Sequence, residues 1–165
     1  MSGHRPGARA NRTTPGVPDL TLDIERVLGL SARQAVRAGF RYDPEHPLVV
    51  SVELRVDGGP CVRWRIGRDL LRRGLSARSG LGDVQVRPSE RADGTEGAEG
   101  TEGADGTDRA TAWLRLVSAD TAALFELPVA PLAKWLAHTY EAVPAGHELA
   151  AVDWDTITTG LLDAR

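Results

Sequence analysis

Nucleophilic, metal and phosphate chemistry each require particular residues at particular spacings, and this sequence offers few of them. The single thiol, Cys61, follows Pro60 at the start of an alternating segment. A catalytic thiol or serine needs a base nearby, and no GxSxG or papain-like context surrounds any candidate. Cys61 therefore reads as a packed or edge thiol. His4, His46, His138 and His147 never pair as HxH or HxxxH, so no metal-ligand spacing emerges. His147-Glu148 reads as a solvated loop dipeptide. Gly80-Leu81-Gly82 lacks the following helix that a phosphate-cradling loop needs, and reads as turn chemistry. The sequence predicts no catalytic residue, no metal site and no cofactor, and hence no enzyme.

The chemistry that does stand out is cationic. Residues 63–87 carry seven arginines against Asp69 and Asp83. Brought to one face, they would suit an acidic protein, an anionic lipid or a nucleic acid. Arg63, Arg65, Arg68, Arg72, Arg73 and Arg78 are accordingly the candidate partner-binding residues. A competing reading pairs Arg63 and Arg65 with acids such as Glu53 across a hairpin and leaves Arg72 and Arg73 in solvent. The wider charge balance narrows the choice. The net charge of −3 divides into three arginines in residues 1–18, six carboxylates in residues 93–108 and a neutral remainder. A neutral body is poorly suited to phosphate binding, so nucleic acid is not the expected partner. One cysteine allows no intramolecular disulfide, which fits a reducing cytoplasm. The N-terminus lacks the apolar run of a signal peptide, and no segment reaches the roughly 18 apolar residues of a spanning helix. Membrane contact is expected only through a partner.

The elements that must position these residues are mostly strands. Leu20, Leu22 and Ile24 recur at period two, predicting a half-buried strand over Leu20–Leu28. Over Leu48–Val56, Val50, Val52, Leu54 and Val56 point one way and Ser51, Glu53 and Arg55 the other. Asp57-Gly58-Gly59-Pro60 supplies a turn, and Val62, Trp64 and Ile66 alternate again, which predicts a hairpin. Trp64 reads as a core residue, not a base-stacking one. Further strands are predicted at Asp83–Arg87, Ala112–Ser118 and Ala122–Leu127.

Three helices follow from local signals. Arg68–Arg73 is short, with Gly74 placed to end it in a left-handed conformation. Pro131–Ala142 has Pro near its first turn, Leu132, Trp135, Leu136 and Tyr140 at helical spacing, and Pro144 beyond its end. Asp153–Leu162 has Asp153 as cap and Trp154, Ile157, Leu161 and Leu162 as its apolar stripe. Antiparallel strands punctuated by helices argue for an α+β domain. Residues 1–18 lack apolar periodicity and predict a flexible tail. Residues 93–108 repeat Gly-x-acid triplets and predict a flexible acidic loop inserted between two strands. The domain itself is placed at 19–165.

Several stretches, taken in order, carry a family resemblance. They are Gly39–Pro47 (GFRYDPEHP), Val62–Leu71 (VRWRIGRDLL), Gly82–Ser89 (GDVQVRPS), Leu124–Pro128 with Trp135–Thr139, Val143–Glu148 (VPAGHE) and the final Asp153–Leu162. Together they resemble the SsgA-like family, the actinobacterial regulators of sporulation and cell division. The resemblance covers about residues 19–165. It implies a whirly-like fold of antiparallel sheets with packed helices, a homo-trimer, and no known catalytic residues. It also implies a cytoplasmic adaptor at division septa, acting on septum-site placement or septal wall remodelling through protein contacts, FtsZ-linked machinery among them. The alternative is a nucleic-acid-binding module of whirly-like fold, a role not ascribed to the family. Two departures make this chain more basic: Arg87 stands where the family often has Trp, and Arg72-Arg73 replaces a common Ala/Glu pair.

Overall fold

The computed structural model describes residues 16–89 and 110–162. Seven strands form one antiparallel sheet: β1 (Leu20–Val27), β2 (Arg33–Tyr42), β3 (Val49–Arg55), β4 (Cys61–Gly67), β5 (Val84–Pro88), β6 (Thr111–Ser118) and β7 (Thr121–Pro128). Three helices follow the strand runs: α1 (Arg68–Gly74), α2 (Val129–Ala142) and α3 (Trp154–Leu162). The sheet order is β4-β3-β2-β1-β7-β6-β5. Two meanders are thus joined along β1 and β7, and each ends in a helix. This is an α+β fold.

Six of the strands were legible from their alternation, with ends shifted by at most one residue. The missing one is β2, which pairs with β1 through Ile24↔Val36 and with β3 through Phe40↔Val52. Its Val36, Ala38, Phe40 and Tyr42 are buried at period two. The predicted 57–60 turn joins β3 to β4, with Gly58 at φ 69°. Gly80 and Gly82 also take positive φ, the turn chemistry expected of them.

The sheet curls, and its core lies on the inner face. Trp64 of β4 and Leu116 of β6 line the same cavity although four strands lie between theirs in the sheet. Leu132, Trp135 and Leu136 of α2 enter the core, with the Trp135 ring 6.0 Å from that of Phe40. The Trp135 indole donates to the Pro18 carbonyl at 2.7 Å, and Val17 packs against the core. The last residues assigned to the tail therefore belong to the fold, because they satisfy a buried N–H and cover apolar surface. Residues 1–15 and the whole acidic loop lie outside the described residues. The Ser89 N–H donates to the Thr111 carbonyl at 2.9 Å, so the pairing of β5 with β6 extends to those two residues. Among the described residues, no helix is long and apolar enough to cross a membrane.

Gly74 corrects an expectation. It is the last residue of α1 and has no positive φ; the backbone continues right-handed into Leu75. Its reason is contact: a Cβ there would sit 2.2 Å from the Val86 Cβ on β5. Glycine lets α1 lie directly on the sheet. Gly74→Ala should gain about 1 kcal/mol of helix propensity yet lose about 1–3 kcal/mol to overpacking. A β-branched side chain on a paired strand has little freedom to yield, so the loss should win. Urea unfolding should show a lower midpoint with an unchanged slope.

Candidate functional site

Among the described residues, the most heavily bonded side chain is that of Arg68, the first residue of α1. Val62, Trp64 and Ile66 alternate along β4, and the same phase carries Arg68 inward, where it is 1% exposed. Its Nη1 shares its hydrogens among the Tyr42 hydroxyl (2.9 Å), the Thr139 carbonyl (2.9 Å) and the Val143 carbonyl (2.8 Å). Its Nη2 donates to Glu148 Oε1 at 2.8 Å. The guanidinium lies 3.9 Å from the Tyr140 ring centroid. The last carbonyls of a helix have no partners within it, and its C-terminus favours positive charge. Arg68 thus caps the end of α2 from another element. The preference of the residue before Pro144 for extended backbone stops α2 there, and Val143 is extended, at φ −137° and ψ 101°.

Glu148 is the counter-charge. Its side chain is 11% exposed, which corrects the solvated-loop reading for Glu148; His147 is exposed, as that reading expected. Its own backbone N–H, the Gly146 N–H at 2.7 Å and the Arg68 guanidinium hold its carboxyl below the ordinary glutamate range. Tyr42 accepts from Arg68 and donates to the Pro47 carbonyl at 3.3 Å; burial raises its pKa.

The six candidate arginines do not form one patch. Arg68 is inside, so it is unavailable to a partner, and its assignment as a contact residue is corrected. Arg63 and Arg65 stand on the outer face of β4, with Arg63 bonded to Glu53 at 2.9 Å as the hairpin reading expected. Arg72 and Arg73 are exposed on α1. Arg78 lies in the loop after α1, beside the outer face of β5 and β6.

Arg72 belongs to a helical face. Its guanidinium lies 4.8 Å from the Tyr140 ring, and the Tyr140 hydroxyl donates to Asp69. Burial, and then the Asp69 carboxylate, push the Tyr140 phenol up to about 12, so it stays protonated. Beside this pair an apolar groove runs between α1 and α2, with Leu75, Val129, Ala133 and Leu136 in its walls. On α3, Asp153 caps the Thr156 N–H at 3.1 Å, as expected. Its apolar stripe is unpartnered: Trp154 is 55% exposed and Leu161 74%.

The sequence reading missed a second surface. Trp113 is out of phase with the buried Ala112, Leu114 and Leu116 and so faces outward from β6. The Arg33 guanidinium lies 5.6 Å from its ring. Arg78, Arg87 and Arg115 line the same shallow groove. The signal was present in the sequence, as a Trp on the polar phase of a strand. Cys61 is exposed at the start of edge strand β4, the edge and not the packed form of the two expected.

Replacing Arg68 with Met should cost on the order of 3 kcal/mol, because two helix-end carbonyls, a phenol and a carboxylate lose their donor together. The Glu148 part of this lock has a defined pH sense. Its folded pKa is depressed, so its stabilisation is present above the ordinary glutamate value of 4.5 and is lost as pH falls through the lower folded value. Glu148→Gln should flatten the acid limb of the stability profile below that value, read by thermal melts across pH.

The comparisons agree with this architecture. A profile described as Streptomyces sporulation and cell division protein, SsgA, matches residues 36–148. A sporulation-specific cell division protein SsgB from Salinispora tropica is 36% identical over 151 residues, covering 88% of this chain and 95% of that one. Its counterpart from Streptomyces coelicolor is 32% identical, covering 81% and 87%. The crystal structure of an SsgA-like sporulation-specific cell division protein from Thermobifida fusca superposes with a TM-score of 0.68 at 25% identity, covering 87% of this chain and 94% of that one. A second solved structure, from work on SsgB mutations and longitudinal cell division in Streptomyces coelicolor, gives 0.67 at 30% identity, covering 80% and 92%. With the profile matching residues 36–148 and a relative 36% identical over 88% of its length, the chain belongs to the SsgA family of sporulation and cell-division proteins.

Proposed function

We propose that this chain is a non-enzymatic adaptor of sporulation-specific cell division, acting in the cytoplasm at division septa through protein contacts. The task would be septum-site placement or septal wall remodelling, with FtsZ-linked division machinery as the partner class. The observation that carries this reading is the exposed helical surface. An apolar groove between α1 and α2 is rimmed by Arg72 and Tyr140, and α3 presents Trp154, Ile157, Leu161 and Leu162 to solvent. Apolar surface with aromatic and arginine residues is the composition of protein-binding hot spots. Arg72 and Arg73 are the central contacts in this proposal; Arg63, Arg65 and Arg78 lie on separate surfaces and are peripheral. The family resemblance supports a homo-trimer, which would multiply a weak site by avidity.

A second reading has its own observation. Trp113 with Arg78, Arg87 and Arg115 forms an aromatic and cationic groove on the sheet, an arrangement suited to stacking a base beside a phosphate. A whirly-like fold would permit nucleic-acid binding there.

A fluorescent fusion in a sporulating host separates the two. The adaptor reading expects septal foci that disperse when Arg72 and Arg73 become Ala and Glu, with folding intact. Partner binding should weaken by roughly 1–3 kcal/mol. A nucleoid pattern, with single-stranded DNA binding that has a steep salt slope and is lost in Trp113→Ala, replaces it with the second reading. Light scattering tests the assembly: a monomer at micromolar concentration removes the avidity mechanism.

A further inference from the structure

The curled sheet leaves a cavity of about 200 Å³ within its inner face. The walls are apolar: Val36, Leu54, Trp64, Leu116 and Phe125 come from five different strands. One charged residue lines it, Arg26 of β1. Arg26 is on the inward phase of its strand, two residues after the buried Ile24, and lies opposite Gln34 on β2 and Phe125 on β7. Its Nε is buried and has no hydrogen-bond partner, the one such side-chain atom among the described residues. A buried donor left unsatisfied is costly, more so on a charged group. The period-two series Leu20, Leu22 and Ile24 carries Arg26 to this same face.

We propose that this cavity binds a short aliphatic carboxylate, or the carboxylate end of a longer acyl chain, with Arg26 as its anion partner. A guanidinium pairs with a carboxylate in a planar, two-bond geometry, and Arg26 is the residue of the lining that offers one. The apolar walls take the chain. At roughly 30 Å³ for a water or a methylene group, this space holds about six or seven carbons. The lining supplies one cation only, which suits a monoanion better than a phosphate dianion. Ser118 and Thr121 add the only other polar side chains of the lining. The pocket shares no residue with the α1–α2 groove or α3, so its failure leaves the adaptor reading standing, and the reverse holds too.

The test is titration of the full chain with octanoate, read by tryptophan emission, to which Trp64 reports from the cavity wall, and by thermal melting. Octanol and octyl phosphate serve as comparison probes, and Trp64→Phe identifies the reporter. Octanoate should bind saturably, raise the melting temperature and bind at least about tenfold tighter than octanol. Arg26→Gln should remove that advantage while leaving octanol binding within about twofold. Ala123→Phe, which fills the cavity, should abolish both, and serves alone if Arg26→Gln does not fold. No saturable response to octanoate at millimolar concentration overturns the proposal. So does octanol binding as tightly as octanoate, or octyl phosphate binding more tightly than either.

Discussion

A guanidinium inside a protein is tolerated only when its donors are matched, and the matching of Arg68 organises the helical half of this molecule. Its partners are a phenol on β2, two carbonyls at the end of α2 and a carboxylate in the following loop. Taking the charge out of water costs several kcal/mol before any pairing is counted. The benefit lies in specificity: the four acceptors converge only if α1, α2 and the 143–148 segment take one arrangement. Tyr140, lying flat on Arg68 and reaching Asp69, extends that order to the exposed Arg72. The exposed face of α1 and α2 is therefore fixed from beneath by a buried charge.

The sheet supplies the other constraint. With apolar residues at even positions on six of the strands and at odd positions on β7, one face must be enclosed, and curling encloses it. The interior is then occupied unequally. At one end α2 fills it with Leu132, Trp135 and Leu136, and Gly74 brings α1 into direct contact with β5. Elsewhere Trp64, Leu116 and Phe125 surround open space with Arg26 beside them. Packing thus yields a rigid helical face and an unfilled cavity from a single sheet.

Much of this was legible in the sequence, and the failures have physical causes. Period-two alternation located six strands because their inward residues are mostly large and apolar, set against polar neighbours. Strand β2 alternates too, but Ala35, Ala38, Gly39 and four charged or amide residues give it low β-propensity, and tertiary pairing on both edges overrides that. Arg68 was grouped with surface arginines by density along the chain. The better signal was phase, since it continues the inward series of Val62, Trp64 and Ile66. Phase also marks Trp113 as outward, the reverse of what its size suggests. Glu148 was missed because its partner lies eighty residues away, beyond any local pattern. Gly74 was assigned to the right place for the wrong reason, since close approach and left-handed backbone both select glycine.

The central claim is that Arg68 orders the end of α2 and the segment after it independently of the sheet. Hydrogen exchange on the Arg68→Met protein tests this directly. Local opening at the lost lock should remove nearly all protection from amides of Val143, His147 and their neighbours, while those of β1–β3 lose only the roughly hundredfold that a global loss of about 3 kcal/mol accounts for. Unchanged protection at 143–147, or an equal loss across helices and sheet alike, would contradict the account.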